Sequence, residues 1–243
     1  MFCILTTLIY YTIMDRFTLT RRLVPHLLVN YSSHSSYSLM SGKMGGALFF
    51  SLYSRSAGIA YYDDFSENLV DDVYNHLNKS MPIGFAYGLC GIGWAIEYML
   101  GHHLMEGDSD EILNEIDQKV MEIDPCKIID KSFAKGLWGI FMYVLTRLES
   151  FDRGRSPLPF DKEYLSRLHT AINHNLHVEN NTLQKKLRID YERFLCGRTD
   201  YSKPLEFPDF MFQNLPHNIE NPNLCPLGIE RGLTGLALKN ILQ

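Results

Sequence analysis

The chain has 243 residues, a formal net charge of −5, and 46% hydrophobic, 12% aromatic and 21% charged residues. This composition excludes a disordered protein and predicts one globular domain over residues 1–243. Basic residues form no stripe, so we expect no nucleic-acid partner. The five cysteines are scattered and odd in number, which indicates a reducing compartment; we expect a cytoplasmic monomer.

Residues 1–15 form an apolar N-terminal extension. The segment has no basic residue ahead of its apolar run and is shorter than the about 20 residues that cross a bilayer, so we expect no stable membrane insertion. Three interpretations stay open at this stage: a targeting segment, a buried helix, or an extended start ahead of Met14.

Two kinds of helix alternate along the rest of the chain. Residues 89–100 and 137–148 are apolar nearly all round, which is typical of inner helices packed on several sides. Amphipathic, charged segments lie between them, and we expect these outer helices to begin at the N-caps Ser66, Asp108 and Asp161.

A further helix is predicted from Thr182, its cap, to Cys196, with Gly197 as its stop. Five prolines follow within residues 198–228, where a long loop takes the place of an outer helix.

A Gly-x-x-Gly motif precedes most of the inner helices. Its first glycines are residues 42, 88, 136 and 232, at intervals of about 46, 48 and 96. With the helix at 182, the period predicts about five helical-hairpin repeats of ~47 residues. We therefore predict an all-α fold, an α/α toroid that is a barrel of inner and outer helices. Close backbone approach and positive φ are the expected reasons for the glycines.

The residues just before the first glycines would converge at one mouth of such a toroid. They are Ser41, Tyr87, Lys135 and Arg231. Helix N-termini carry free N–H groups and partial positive charge, and two of the four side chains are cationic. We expect these residues to bind an anionic or carbonyl-rich ligand.

Two residues are candidates for catalysis. Tyr87 is one, and Cys90, between the glycines of the second motif, is the other. Cys90 is either a small buried apolar residue or a thiol whose pKa the helix N-terminus lowers. No CxxC or HExxH spacing occurs, so we expect no metal and no cofactor.

The segments GFAYGLCGIG at 84–93, FAKGLWGI at 133–140 and PLGIERGLTGL at 226–236 resemble the lanthionine synthetase C-like family. The resemblance covers residues 38–243 and implies an α/α toroid with glycine-rich inner-helix starts. It also implies the activity of the bacterial cyclases, in which a zinc ion activates a substrate cysteine thiol for addition to a dehydrated serine or threonine.

The resemblance does not extend to the zinc ligands. In the cyclases a cysteine stands two residues before an inner-helix glycine and a histidine one residue before it. The positions two before the glycine are Met40, Ala86, Ala134 and Glu230 here, and none of the residues one before it is a histidine. Tyr87 stands where the family has a candidate acid/base histidine.

Two functions stay open. The first is a lanthionine synthetase C-like protein that binds a peptide, or assists a peptide-modifying enzyme, without zinc-dependent cyclase activity. The alternative is an enzyme that acts on carbohydrate or another substrate in the central cavity, which requires paired carboxylates. Asp63 and Asp64 lie before an outer helix and are poorly placed for that role.

Overall fold

The computed structural model describes residues 2–78, 80–150, 158–174, 182–198, 205–216 and 219–243, with side chains from residue 17 onward. Within them the chain forms nine α-helices and no strand, which confirms the all-α prediction. The helices are α1 (Phe2–Ser32), α2 (Lys43–Ala57), α3 (Tyr61–Asn75), α4 (Leu89–Gly101), α5 (Ser109–Met121), α6 (Leu137–Ser150), α7 (Lys162–His174), α8 (Thr182–Leu195) and α9 (Leu233–Leu242).

Most predicted helix starts are confirmed. The helix after each motif begins directly behind its first glycine, and α8 begins at Thr182. Asp108 caps α5 by accepting a hydrogen bond from Asp110 N at 2.8 Å. Asp161 caps α7 in the same way through Tyr164 N at 2.6 Å.

The prediction that Ser66 caps an outer helix is wrong. The helix begins five residues earlier, at Tyr61, so Asp63 and Asp64 lie in its first turn. Ser66 is buried within α3, and its hydroxyl donates to Ala47 O of α2 at 2.8 Å. A serine inside a helix can donate a hydrogen bond to a neighbouring helix in this way. Sequence position alone does not distinguish such a serine from an N-cap.

The chain divides into two compact units, of which the first comprises Met1–His76 and Asp209–Gln243. Its helices are α1, α2, α3 and α9, with α2 buried nearly all round and packed against the other three. Tyr31 of α1 donates its hydroxyl to Thr234 Oγ1 of α9 at 2.8 Å, and Thr234 Oγ1 donates to Leu227 O at 2.6 Å. A buried hydrogen-bond chain thus joins the first and last helices of this unit.

The second unit is Leu77–Pro208 and contains α4 to α8. The α4 and α6 helices pack against each other and are buried on all sides, as predicted for inner helices. The α5 helix packs on α4 and buries only one face, as an outer helix does. Burial on all sides explains why α4 and α6 lack an apolar stripe.

The α8 helix differs from the inner helices although it begins at the predicted position. It packs against α6, where the Tyr191 ring contacts Phe141 edge to face; its face with Leu187, Tyr191 and Phe194 is buried, and its other face is exposed. Its charged residues require that exposure. The apolar extension belongs to α1, and no helix among the described residues has both the length and the apolar character needed to cross a membrane.

Candidate functional site

Each of the four motif helices begins with the same backbone hydrogen bond. The N–H of the first helical residue donates to the carbonyl oxygen seven residues earlier at 2.8 or 2.9 Å: Lys43 to Ser36, Leu89 to Pro82, Leu137 to Asp130 and Leu233 to Pro226. The expectation of free N–H groups is therefore wrong for this residue in all four helices. The preceding loop itself caps each helix.

Close approach of this loop explains the first glycine. A Cβ on Gly88 would overlap Pro82 O, and one on Gly136 would overlap Asp130 O. These are the carbonyl groups that accept the capping hydrogen bonds. Gly88 has φ −145°, so left-handed backbone is not the reason for glycine there. The packing explanation of the motif is confirmed at these positions.

Two of the loops pair within the second unit. Ala86 N donates to Ala134 O at 2.7 Å, and a Cβ on Gly84 would lie 2.8 Å from Lys135 Cα. This pairing places the residues before the glycines side by side. Lys135 Nζ lies 5.7 Å from the centroid of the Tyr87 ring, and both side chains are exposed. An exposed cation–π contact of this kind contributes about 0.5–1 kcal/mol.

The charge of Lys135 acts on a carboxylate nearby. The pKa of Asp130 is lowered, first by hydrogen bonds from the Ser132 backbone and hydroxyl and then by the charge of Lys135. Lys135, which contacts the Tyr87 ring, therefore interacts with an exposed carboxylate that retains its charge at neutral pH.

The other two loops pair within the first unit in the equivalent way. Glu230 N donates to Met40 O at 3.1 Å, as Ala86 N does to Ala134 O. A Cβ on Gly228 would lie 2.7 Å from Ser41 Cα, which repeats the position of Gly84. Ser41 and Arg231 thus lie on one pair of loops, and Tyr87 and Lys135 on another. Convergence of all four at one mouth stays a prediction.

Arg231 has an unusual backbone for a residue with a side chain. Its φ is 56°, in the left-handed region, which costs about 1 kcal/mol for a non-glycine residue. Its side chain is 67% exposed, and its Nε lies 4.0 Å from Glu230 Oε1. The strain points to a constraint on this position, and the exposed guanidinium is available to a ligand.

Ser41 is held by a small polar group. His34 Nε2 donates to Ser41 O at 2.7 Å, and the Ser41 and Ser38 hydroxyl oxygens lie 3.1 Å apart. These contacts fix the loop backbone, so Ser41 has a structural role besides its predicted place at the mouth.

The structure favours the buried, apolar interpretation of Cys90. The residue is fully buried as the second residue of α4. Burial, and after it the charge of Asp117, raises the pKa of the Cys90 thiol well above its ordinary value. The other interpretation, in which the helix N-terminus lowers the pKa of this thiol, is disfavoured because desolvation opposes the thiolate.

A buried ion cluster in the second unit is the feature that sequence reasoning missed. Arg147 of α6 is 1% exposed and uses all five of its N–H donors. Nε and Nη2 donate to Asp117 Oδ2 at 3.0 and 2.8 Å, and Nη2 also donates to Asp110 Oδ1 at 2.9 Å. Nη1 donates to Glu97 Oε1 and to Ser109 Oγ, both at 2.7 Å. The cluster joins α4, α5 and α6.

The electrostatics of the cluster follow from burial and pairing. Burial raises the pKa of Asp117, and the hydrogen bonds and charge of Arg147 partly offset that rise. Burial would lower the pKa of Arg147, but hydrogen bonds to Asp117 and the charges of Asp117 and Glu97 raise it instead. Glu97 also accepts from the Ser109 hydroxyl. The guanidinium therefore remains charged and holds the carboxylates in place.

Tyr143 completes the cluster and fixes a glycine next to it. Its hydroxyl donates to Asp117 Oδ1 at 2.6 Å. A Cβ on Gly93 of α4 would lie 2.9 Å from Tyr143 Cζ, inside van der Waals contact. A Cβ at position 93 would push the Tyr143 ring away and disturb its bond to Asp117, which favours glycine there.

The sequence did contain a signal for this cluster. Glu97 is the one charged residue in the apolar segment 89–101, and Arg147 interrupts another apolar run. A charged residue in a helix that is buried all round requires a buried partner of opposite sign. The charged residues in these two apolar helices therefore indicate that the helices form an ion pair with each other. Asp117 gives no such signal, because its sequence position is that of an ordinary surface residue on an amphipathic helix.

The residues before the glycines do not fit a zinc ion. Two of them, Lys135 and Arg231, are cations with no lone pair to offer at neutral pH. The Tyr87 ring contacts the ammonium group of Lys135, and the Ser41 hydroxyl is hydrogen-bonded to the Ser38 hydroxyl. Among the described residues, no group of three or more His, Cys, Asp or Glu side chains is arranged to hold a metal ion.

A protein-family model matches most of the described second unit and part of the first. The family model described as Lanthionine synthetase C-like protein matches residues 33–197, more than half of the chain. No curated protein and no solved structure matches. The matched segment includes three of the four motifs and the whole buried cluster.

Proposed function

This chain belongs to the lanthionine synthetase C-like family, and on that premise we propose that it binds a peptide and assists peptide modification without zinc-dependent cyclase activity. The observation that carries the proposal is the exposed pair of Tyr87 and Lys135 on two hydrogen-bonded loops. A peptide offers the two groups this pair can contact: a carboxylate or carbonyl for the ammonium, and an apolar side chain for the ring.

Lys135 and Tyr87 would act together on such a ligand. The ring holds the ammonium group near one position, which lowers the conformational entropy lost on binding. Asp130 nearby repels a second negative charge, so a ligand with one acidic group among neutral residues is preferred over a polyanion. Arg231 lies exposed on the equivalent pair of loops in the first unit.

The absence of cyclase activity is argued from the identity of the residues. The family's metal-ligand positions hold no cysteine or histidine here. Tyr87 replaces the candidate acid/base histidine, and a phenol with a pKa near 10 is a poor base at neutral pH. We assign no reaction step to these residues; they bind and orient.

The toroid belongs to the same proposal. The first and last motifs pair through Glu230 N and Met40 O, and α1 and α9 pack together. Contact between the two ends of a repeat array supports a closed ring, in which about five repeats follow one another, over an open superhelix.

The carbohydrate alternative has no comparable support. The buried carboxylates Glu97 and Asp117 are bonded to Arg147 and closed to solvent. Asp63 and Asp64 lie in the first turn of α3, where they complement the helix dipole. The buried pair lacks the access that a glycosidic substrate requires, and Asp63 is already hydrogen-bonded to Ser51 Oγ.

Binding of a fluorescein-labelled peptide with one glutamate among neutral and aromatic residues tests the proposal. We expect Lys135→Gln to weaken binding about threefold to fivefold, as loss of one exposed charge contact does. Lys127→Gln is the matched control, because Lys127 is also exposed beside a carboxylate, Asp124. Equal affinity of the Lys135→Gln variant and the native protein would remove the proposed site.

Elemental analysis tests the zinc statement separately. One zinc per chain in protein purified from zinc-supplemented medium would overturn that part of the proposal and leave the binding result unaffected.

A further inference from the structure

Three ring side chains, which together form a ring ladder, follow one face of α4: Trp94, Tyr98 and His102, the residue directly after the helix. They are spaced four residues apart, so they lie one above another on that face. The Trp94 and Tyr98 ring centroids are 5.5 Å apart, and the Tyr98 and His102 rings are stacked with their centroids 4.1 Å apart. Trp94 and Tyr98 are buried and His102 is half-buried, so the ladder is covered along most of its length.

A short segment of the same unit, residues 205–208, lies against the ring ladder and has no regular secondary structure. The centroid of its Phe207 ring is 5.6 Å from that of Trp94 and 4.6 Å from that of Tyr98. Edge-to-face and tilted contacts at these distances are favourable aromatic pairs. An aromatic side chain of a non-helical segment therefore fills the space beside two rings of α4.

The backbone of the segment is also bound. His102 Nε2 donates to Leu205 O at 2.8 Å, and a bond to a main-chain carbonyl does not depend on which residue supplies it. Glu206 Oε2 lies 3.2 Å from Lys186 Nζ of α8, so successive side chains of the segment contact different helices. Main-chain hydrogen bonds combined with contacts to alternate side chains are the way in which proteins bind an extended peptide.

The segment has the composition of the ligand proposed above. Its sequence is Leu-Glu-Phe-Pro, which places one acidic residue among apolar and aromatic ones. Pro208 biases the backbone of Phe207 towards an extended conformation, which lowers the conformational entropy lost when the segment binds. A segment tethered to its site is present at a high effective concentration. Residues 205–208 would therefore compete strongly with a free peptide of the same kind.

We propose that the ring ladder of Trp94, Tyr98 and His102 binds an extended peptide with an aromatic residue before a proline, and that residues 205–208 occupy this site as an internal competitor. The inference deepens the proposed function, on which its ligand class rests, and adds a site with contacts of its own. The incoming ring and carbonyl group replace those of the segment. This exchange breaks no helix, because the segment has no regular secondary structure.

Saturation-transfer NMR on the full chain with the uncharged peptide acetyl-Leu-Gln-Phe-Pro-amide tests the site. Phe207→Ala removes the competing ring, so we expect the dissociation constant of the peptide to fall at least about tenfold relative to the native protein. The peptide acetyl-Leu-Gln-Ala-Pro-amide, which lacks the ring, should show no such gain. Glu206→Gln is the matched control, because it changes the same segment at the side chain that pairs with Lys186, and its effect should stay within about twofold.

Three results would overturn the proposal. They are equal dissociation constants for the native protein and Phe207→Ala, equal binding of the two peptides, and no saturation transfer to the peptide ring in Phe207→Ala at millimolar peptide. If Phe207→Ala does not fold, Phe207→Leu keeps most of the apolar volume and should lower the dissociation constant about threefold. The peptide carries no charge, so Lys135→Gln should leave its binding unchanged. Failure here is therefore distinguishable from failure of the site at Tyr87 and Lys135.

Discussion

Replacement of Arg147 by methionine tests the buried cluster most directly. Methionine preserves much of the volume of the arginine stem but removes five hydrogen bonds and the one cation in the cluster. Glu97 and Asp117 would then be left buried without a counter-charge. Removing one partner of a buried ion pair costs about 3–5 kcal/mol. For a chain of this length we expect a fall in Tm of roughly 10 °C.

The pH dependence of this variant has a defined sign. Burial already raises the pKa of Asp117, and loss of Arg147 raises it further. A group whose pKa is higher in the folded state stabilises the fold when protonated, and this contribution is lost as pH rises through the folded pKa. The loss of stability in Arg147→Met should therefore be smaller at pH 5 than at pH 7.

Urea unfolding followed by far-UV circular dichroism measures both effects. Arg167→Met is the matched control, because Arg167 also bonds two carboxylates but is half exposed, and we expect a loss below about 1 kcal/mol. Combining Arg147→Met with Glu97→Leu, Asp117→Leu and Tyr143→Phe should restore much of the stability. A loss below about 1 kcal/mol for Arg147→Met alone would refute this account of the cluster.

Three further predictions concern single positions. Gly93→Ala should lower the free energy of unfolding in urea by about 1–3 kcal/mol, because the added Cβ overlaps the Tyr143 ring. Gly101→Ala is the control: nothing lies within 4 Å of its added Cβ, so alanine should be neutral or stabilising there. Cys90 should resist Ellman's reagent in the folded protein at pH 8 while exposed Cys126 reacts, and equal rates would contradict the raised pKa. Arg231→Gly should raise the free energy of unfolding by up to about 1 kcal/mol relative to Arg231→Ala, since glycine relieves the positive φ.

The sequence predicted the helices well because their signals are local. The apolar runs at 89–100 and 137–148 and the caps Asp108 and Asp161 all depend on residues within a few positions of each other. Ser66 was misassigned because its partner, Ala47 O, lies on another helix. Hydrogen bonds between elements are not visible in a local pattern.

The candidate site likewise has one feature that the sequence predicts and one that it does not. The adjacency of Tyr87 and Lys135 follows from the repeat, since equivalent positions on neighbouring loops face each other. The pKa of Cys90 does not follow, because it depends on complete burial and on Asp117 of another helix. The sequence shows that Cys90 lies at a helix N-terminus, which lowers the pKa of a thiol. Desolvation raises that pKa more strongly, and it is visible only in the packed structure.

The hydrogen bonds from Tyr31 to Thr234 and from Glu230 to Met40 have a consequence for the order of synthesis. The Tyr31–Thr234 bond joins residues 203 positions apart, so the unit that contains it is discontinuous in sequence. Its N-terminal helices leave the ribosome long before α9 exists, whereas the unit Leu77–Pro208 is continuous and complete earlier. Helix α1 must therefore wait for α9 to be synthesised, and the slowest folding step should be the docking of α9.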